Sequence, residues 1–377
     1  MYDYGFLRDN RAALFLEMLS HWTVMPRTTL LAALAGLIAL AFVIVAAAWL
    51  WASTVVAHGW DAWVEERQAE GYRFTNAEPE VSGFPFRVVA ELDSPVIEAP
   101  QGWRWDAPPI RAEAGLWTPF TLHFRAPGTH RFRLPDGREL EAQAENAAGH
   151  LAMNPEGGFD DAAMTLRNVL MSAVPLGPGT SLGQTTARSL DLRAEPAGVA
   201  EDQPENLAFS AVLRGLSLPE QIEVPFDREI STLGLDGVLL GRLPAEATEP
   251  ELQRWRRDGG AVSVENLRLH WRPLGLQGRG RLSLDDALRP EGTLNVEARG
   301  LEEALARLSE AGLIEPRAAT YGRLAVTALG ERDQATGERV VQVPLSFQEG
   351  RFYLGPVPLF ELSPVLVDRT NPLGALR

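Results

Sequence analysis

LRLHWRPLGLQGRGRLSLDDALRPEGTLNVEARG, residues 267–300, reads as antiparallel sheet. Leu282 and Leu284, then Leu294 and Val296, are apolar at alternate positions on either side of a turn at Pro290-Glu291-Gly292. Such alternation gives a strand one apolar and one polar face, the pattern of an antiparallel sheet covered on one side. Working back, Val262 and Val264, then Leu267, Leu269 and Trp271, alternate with a phase slip near Asn266, which a β-bulge would produce. Working forward, Val341, Val343, Leu345 and Phe347, then Phe352 and Leu354, form a further pair of strands.

Helical signals are fewer. Thr248-Glu249-Pro250-Glu251 has capping-box spacing with Pro early, and Gly259 closes the helix it opens. Leu301, Leu305 and Leu308 form the stripe of a second helix, ending near Gly312 and Pro316. Asp161 to Ser172 gives a third, with Met164 and Val169 imperfectly spaced. In the first half, residues 81–100 read as extended chain broken at Gly83-Phe84-Pro85 and Ser94-Pro95. Thr121 to Leu134 reads as a hairpin about Ala126-Pro127-Gly128. Leu122 to Gly128 resembles Leu269 to Gly275, by duplication or by chance similarity between β-rich segments.

Before all of this lies TTLLAALAGLIALAFVIVAAAWLWASTVVAHGW, residues 28–60, with no charged residue. Its core, Leu30 to Ala52, suffices as a helix to cross the ~30 Å hydrocarbon layer. Trp49 and Trp51 suit an interfacial belt at its far end. The run is too long for an ordinary signal peptide, although Ala46 to Ala48 would offer a small-residue cleavage site. Arg8, Arg11 and Arg27 precede the run, and Asp61, Glu65 and Glu66 are the first charges after it. The positive-inside rule then leaves the N-terminus in the cytoplasm and the large C-terminal domain outside. The first residues are either a true cytoplasmic tail or the product of a misplaced start, with Met25 as the alternative. Trp60, Trp63 and Val64 share one face of a membrane-proximal continuation of the helix. The expected organisation is a tail (1–27), an anchor (28–56), a membrane-proximal helix (57–73) and two β-rich halves (74–215 and 216–377). The fold class is β-rich α+β: a mostly antiparallel curved sheet with a few helices, after one N-terminal transmembrane helix.

Composition removes several chemistries. Asp3, Asp9 and Glu17 balance the three Arg up to Arg27, so the formal charge of -15 lies beyond the apolar run and argues against nucleic acid as a partner. All 35 basic residues are Arg. Without Lys there is no Walker-type P-loop and no Schiff base. Without Cys there is no disulfide, thiol nucleophile or thiolate metal site. Gly179-Thr180-Ser181-Leu182-Gly183 matches G-x-S-x-G but lacks the strand before it and the helix after it, so it reads as a surface loop. His123 and His130 flank the expected hairpin and would lie diagonally on one face, two ligands without a third. Asp160-Asp161 and Asp285-Asp286 read as turn residues. No catalytic residue, metal site or cofactor is assigned. The candidate ligand surface is apolar: Leu282, Leu284, Leu294 and Val296, with Val343, Leu345 and Phe347 alongside, needing cover from the rest of the domain or from a lipid-like ligand.

The anchor, VSGFPFRVVAELDSPVIEAP, GWRWDAPPI, residues 269–314 and GRFYLGPVPL together resemble the bacterial family catalogued as domain of unknown function 2125. These motifs are structural, so the resemblance implies a family and no activity. That family is similar in style to AsmA-like envelope proteins, which implies an inner-membrane anchor, periplasmic β-structure and lipid handling. The expectation is a non-enzymatic, single-pass inner-membrane protein whose periplasmic domain binds or shields lipid. The alternative is a scaffold for another envelope protein.

Overall fold

The uncharged run folds as part of one continuous helix, α1 (Arg27–Ala69). The computed structural model describes residues 27–174, 183–197, 206–242, 248–332, 338–355 and 357–365. Met25 and the tail before Arg27 lie outside them. At ~1.5 Å per residue α1 is about 65 Å long, twice the hydrocarbon thickness of a bilayer. Its polar second half is tied to the sheet. The Trp60 indole donates to the Ala77 carbonyl at 2.6 Å. Trp63 meets Trp60 at 5.2 Å and Phe74 at 5.5 Å between ring centroids. The helical face read from Trp60, Trp63 and Val64 is therefore the one facing the strands. Gly71, at φ 96, turns the chain out of the helix.

Short strands follow: β1 (Arg73–Thr75), β2 (Glu80–Ser82), β3 (Arg87–Leu92), β4 (Val96–Glu98), β5 (Arg104–Asp106), β6 (Ile110–Gly115), β7 (Thr118–Arg125) and β8 (Gly128–Arg133). Long ones come next: β9 (Glu139–Met153), β10 (Phe159–Val174), β11 (Gln184–Pro196), β12 (Leu207–Ser217) and β13 (Glu229–Leu240). Helix α2 (Glu249–Arg257) leads into β14 (Ala261–Trp271), β15 (Leu274–Leu284) and β16 (Pro290–Arg299). Then come α3 (Leu301–Glu310), α4 (Pro316–Leu329), β17 (Glu331–Arg332), β18 (Arg339–Gln348), β19 (Arg351–Leu354) and β20 (Val357–Glu361). Among the described residues all twenty strands belong to one curved, unclosed sheet, and the ladders are antiparallel.

From β9 onward the sheet is a meander in which each long strand pairs with the next, β18 following β16. On its other edge β9 forks. Its first half pairs with β8, leading to β5, β4 and β1. Its second half pairs with β7, leading to β6, β3 and β2. Two short wings thus stand side by side on one long strand, and α1 packs against them.

Several expectations hold. The slip near Asn266 is a bulge: Val264 pairs with Gly280 but Leu267 with Gly278, leaving one extra residue in β14. Helix α2 starts after Thr248 with Pro in its first turn, although the Thr248 side chain makes no capping bond. Gly259, at φ 87, ends it.

Others are corrected. Asp161 to Ser172 is strand, within β10. Its helix-like spacing has a physical source. In β9, β10 and β12, residues three apart enter one cluster: Ala144 and Ala147, Leu166 and Val169, Leu213 and Leu216. The facing of β10 and of β12 slips by one residue where Asn168 and Gly215 adopt left-handed backbone, at φ 48 and 62. An i, i+3 repeat therefore comes from a strand. Thr121 to Leu134 is not a hairpin, because β7 and β8 do not pair; both lie along β9, end to end. Ala126 bonds to the Ala147 carbonyl at the crossing. The similar segment at Leu269 does turn back on itself, Trp271 pairing with Leu274, so the two look-alike segments have different topologies. Pro316 opens α4 rather than ending the helical region, as Pro at the first helical turn does. Helices α3 and α4 enclose one core cluster with the sheet: Leu301, Leu305, Ile314, Ala319 and Val326 against Ala298 and Val341.

Candidate functional site

The register of the ladders lines up apolar side chains from strand to strand. One row runs Ala147, Leu166, Leu190, Leu213, Leu233, Leu269, Leu276, Ala298 and Val341. A second starts in the wing at Val81, Ala90, Ala112 and Phe124. It continues through Gly149, Met164, Leu192, Ala211, Leu235, Leu267, Gly278, Val296 and Val343. A third runs from Val88, Ala114 and Leu122 to Leu294, Leu345 and Leu354. No polar side chain interrupts the first two rows. Alternate residues face the same side, so the three rows form one apolar face.

The sequence candidates lie on the closed part of this face. Val296 is 1% exposed and Leu294 is also buried, in one cluster with Val264 and Leu345. Leu282 is half-buried beside them, and Leu284 is half-buried at the end of β15. A Cβ on Gly278 would collide with Val296 Cγ1 and the Asn295 carbonyl oxygen, so only glycine lets β15 close over Val296 here. Toward the middle strands the cover is lost. Leu166, Leu190 and Leu213 are half-buried. Leu233 is 39% exposed and Leu122 41%. These positions were not singled out in the sequence, although Leu190-Asp191-Leu192-Arg193-Ala194 alternates as cleanly as the stretch that was. Their common face is a property of the register.

The opposite face is polar and internally paired. Asp191 accepts from Thr165 Oγ1 at 3.0 Å on one neighbouring strand and from the Arg214 guanidinium at 2.8 Å on the other. Asp236 accepts in the same way from Ser210 (2.6 Å), Asn266 (3.1 Å) and Arg268 (2.7 Å). A shallow depression of about 700 Å³ opens over the β14 bulge, among Glu265, Asn266, Arg279, Asn295 and Glu297. In the β1–β4–β5–β8 wing, Arg104 bridges Glu98 and Asp106. Hydrogen bonds from Arg73 and then Arg104 hold the Glu98 carboxyl below the usual range, and Arg104 does the same for Asp106.

Between α1 and the wings lies a larger cleft, about 1260 Å³. Asp61, Glu65, Glu78, Glu80, Glu91 and Asp93 line it against Arg111 and Arg125. Its negative excess disfavours anionic headgroups.

The histidines are arranged differently from the expectation. His123 sits opposite His150, with rings 5.9 Å apart, and His150 Nε2 lies 2.5 Å from Asp161 Oδ2. His130 stacks on Trp105 instead and contacts the Ala126 carbonyl at 3.0 Å. Two strands that share an edge of β9 without pairing cannot bring His123 and His130 onto one diagonal. Among the described residues no group of three His, Asp or Glu is placed to hold a metal. Asp285 caps its own turn, accepting from the Ala287 and Arg289 amides. In the G-x-S-x-G stretch, residues 179–182 lie outside the described residues.

A family model described as "Uncharacterized protein conserved in bacteria (DUF2125)" matches residues 49–362. The chain belongs to DUF2125. No curated protein and no solved structure matches it. The DUF2125 match begins at Trp49, so the two α1 indoles that hydrogen-bond to the wing side, Trp49 and Trp60, fall within the family's own unit.

Proposed function

We propose that this DUF2125 protein is a non-enzymatic, single-pass protein of the bacterial inner membrane, held by α1 with its sheet in the periplasm. The apolar face of the sheet holds the acyl chains of lipid, in the service of envelope maintenance. The observation that carries this reading is the set of apolar rows with large side chains half-exposed from β7 to β13. Fully burying a Leu stabilises by roughly 1.5–3 kcal/mol, so whatever apolar matter covers Leu166, Leu190, Leu213 and Leu233 gains from doing so. At ~4.8 Å per strand the rows are several times longer than the ~15 Å depth of one hydrocarbon leaflet, which suits extended chains. Arg8, Arg11 and Arg27 before the apolar helix, against Asp61, Glu65 and Glu66 after it, support the periplasmic orientation. The resemblance to AsmA-like proteins points the same way.

The test is site-specific photo-cross-linking in living cells. A benzophenone amino acid replaces Leu190 or Leu213 on the apolar face, or Arg193 or Ser210 on the polar face, in the full chain. Phospholipid mass added at Leu190 and Leu213 but not at Arg193 or Ser210 supports the reading. Equal labelling of both faces, or none, overturns it. Protein adducts confined to the apolar face would favour the scaffold instead.

A further inference from the structure

Two turns of the β2–β3–β6–β7 wing carry exposed aromatic residues beside the apolar half of α1. Residues 81–86, VSGFPF, and 114–122, AGLWTPFTL, contain no charged residue. The first turn is closed by the Arg87 amide on the Gly83 carbonyl, at 3.1 Å. The Leu116 amide donates to the Phe86 carbonyl at 2.9 Å, which joins the two turns. Phe84, Phe86 and Phe120 are exposed there, and Trp117 is 74% exposed. An exposed patch of this kind marks an interaction surface.

Contacts with α1 fix its depth. The Phe84 ring lies 5.9 Å from Phe42 and 5.4 Å from Trp49. The Trp49 indole donates to the Arg87 carbonyl at 2.6 Å. With Arg27 at the cytoplasmic boundary, about 20 residues of helix cross the hydrocarbon and end just before Trp49 and Trp51. Phe42 lies about two turns earlier, roughly 10 Å deeper. A side chain packed between Phe42 and Trp49 is on the hydrocarbon side of the Trp belt.

We infer that the turns bearing Phe84, Phe86, Trp117 and Phe120 insert into the periplasmic leaflet beside α1, with bilayer hydrocarbon as their partner. This rests on α1 spanning the membrane. It goes beyond the acyl-chain reading by fixing where the apolar face begins. Phe86 and Phe120 lie two residues before Val88 and Leu122 in the chain, where the third apolar row starts. The sheet's apolar face therefore begins beside the leaflet.

The chain has no Cys, so single cysteines report cleanly. Phe86→Cys and Trp117→Cys carry nitroxide labels in the full chain, reconstituted in phosphatidylethanolamine/phosphatidylglycerol liposomes. Leu40→Cys in α1 and Glu156→Cys in an exposed turn are the references. Collisions with oxygen and with a water-soluble nickel chelate are read by electron paramagnetic resonance. The expected result is loss of nickel collisions at Phe86 and Trp117, as at Leu40, while Glu156 retains them. Nickel collisions at Phe86 and Trp117 equal to those at Glu156, with Leu40 shielded, overturn the inference and leave the anchor standing. Nickel collisions at Leu40 as well would remove the anchor and the inference with it. An unchanged melting temperature for both variants establishes that the labels report a native fold.

Discussion

Val296→Ala measures how firmly one end of the apolar face is closed. Val296 is 1% exposed, covered by Leu294, Val264 and Leu345, and Gly278 opposite has no side chain to move into a void. Removing two buried carbons costs about 1.6 kcal/mol in transfer free energy at ~0.8 per group. The cavity left in a site that cannot collapse adds up to ~1 kcal/mol, for a total of about 2–2.5 kcal/mol. For a chain of this size that lowers Tm by roughly 3 °C. Leu233→Ala on the same face is the comparison. It removes one more carbon, but Leu233 is 39% exposed and leaves no closed cavity, so the expected cost is only about 1 kcal/mol. Both variants are melted as full chains in nanodiscs, where detergent cannot coat the face. A loss at Val296 below about 1 kcal/mol, or an equal loss at Leu233, would refute the division of the face into a closed end and an open middle.

Two further outcomes follow from the same geometry. Deleting Glu265 removes the extra residue of the β14 bulge and leaves Val264 and Leu267 two positions apart, so plain alternation keeps Leu267 and Leu269 on the apolar face and cooperative unfolding should survive; loss of the transition would refute the reading of Glu265 as the extra residue. Asp106 and Glu98 have folded-state pKa values held below their unfolded ones by Arg104 and Arg73, so the stability they contribute is present above about pH 4 and lost as pH falls through the folded values. Asp106→Asn should flatten the fall in Tm below about pH 4, and an unchanged acid limb would contradict the ion-pair account.

Period-two alternation at Leu282, Leu284, Leu294 and Val296, the slip at Asn266 and the uncharged run to Trp60 were enough to give antiparallel sheet, a bulge and a membrane-length helix. Each is local: side-chain facing follows from backbone geometry within a few residues, and helix length from the count of apolar positions. Tertiary structure decided what depends on partners far along the chain. Residues 161–172 have a helical spacing because left-handed backbone at Asn168 shifts the facing of β10 by one residue, in step with Gly215 two strands away in β12, and no window of one strand contains the other. Whether Leu122 to Gly128 turns back or crosses over depends on which half of β9 each strand finds. The apolar face is the product of fourteen strands' registers, so Leu190 and Leu233 become neighbours of one surface only once the ladders are set. The exposed aromatics at Phe84, Phe86, Trp117 and Phe120 read as interruptions of strands along the chain. Their meaning comes from lying beside Phe42 and Trp49, a proximity that only the docking of α1 onto the wing creates.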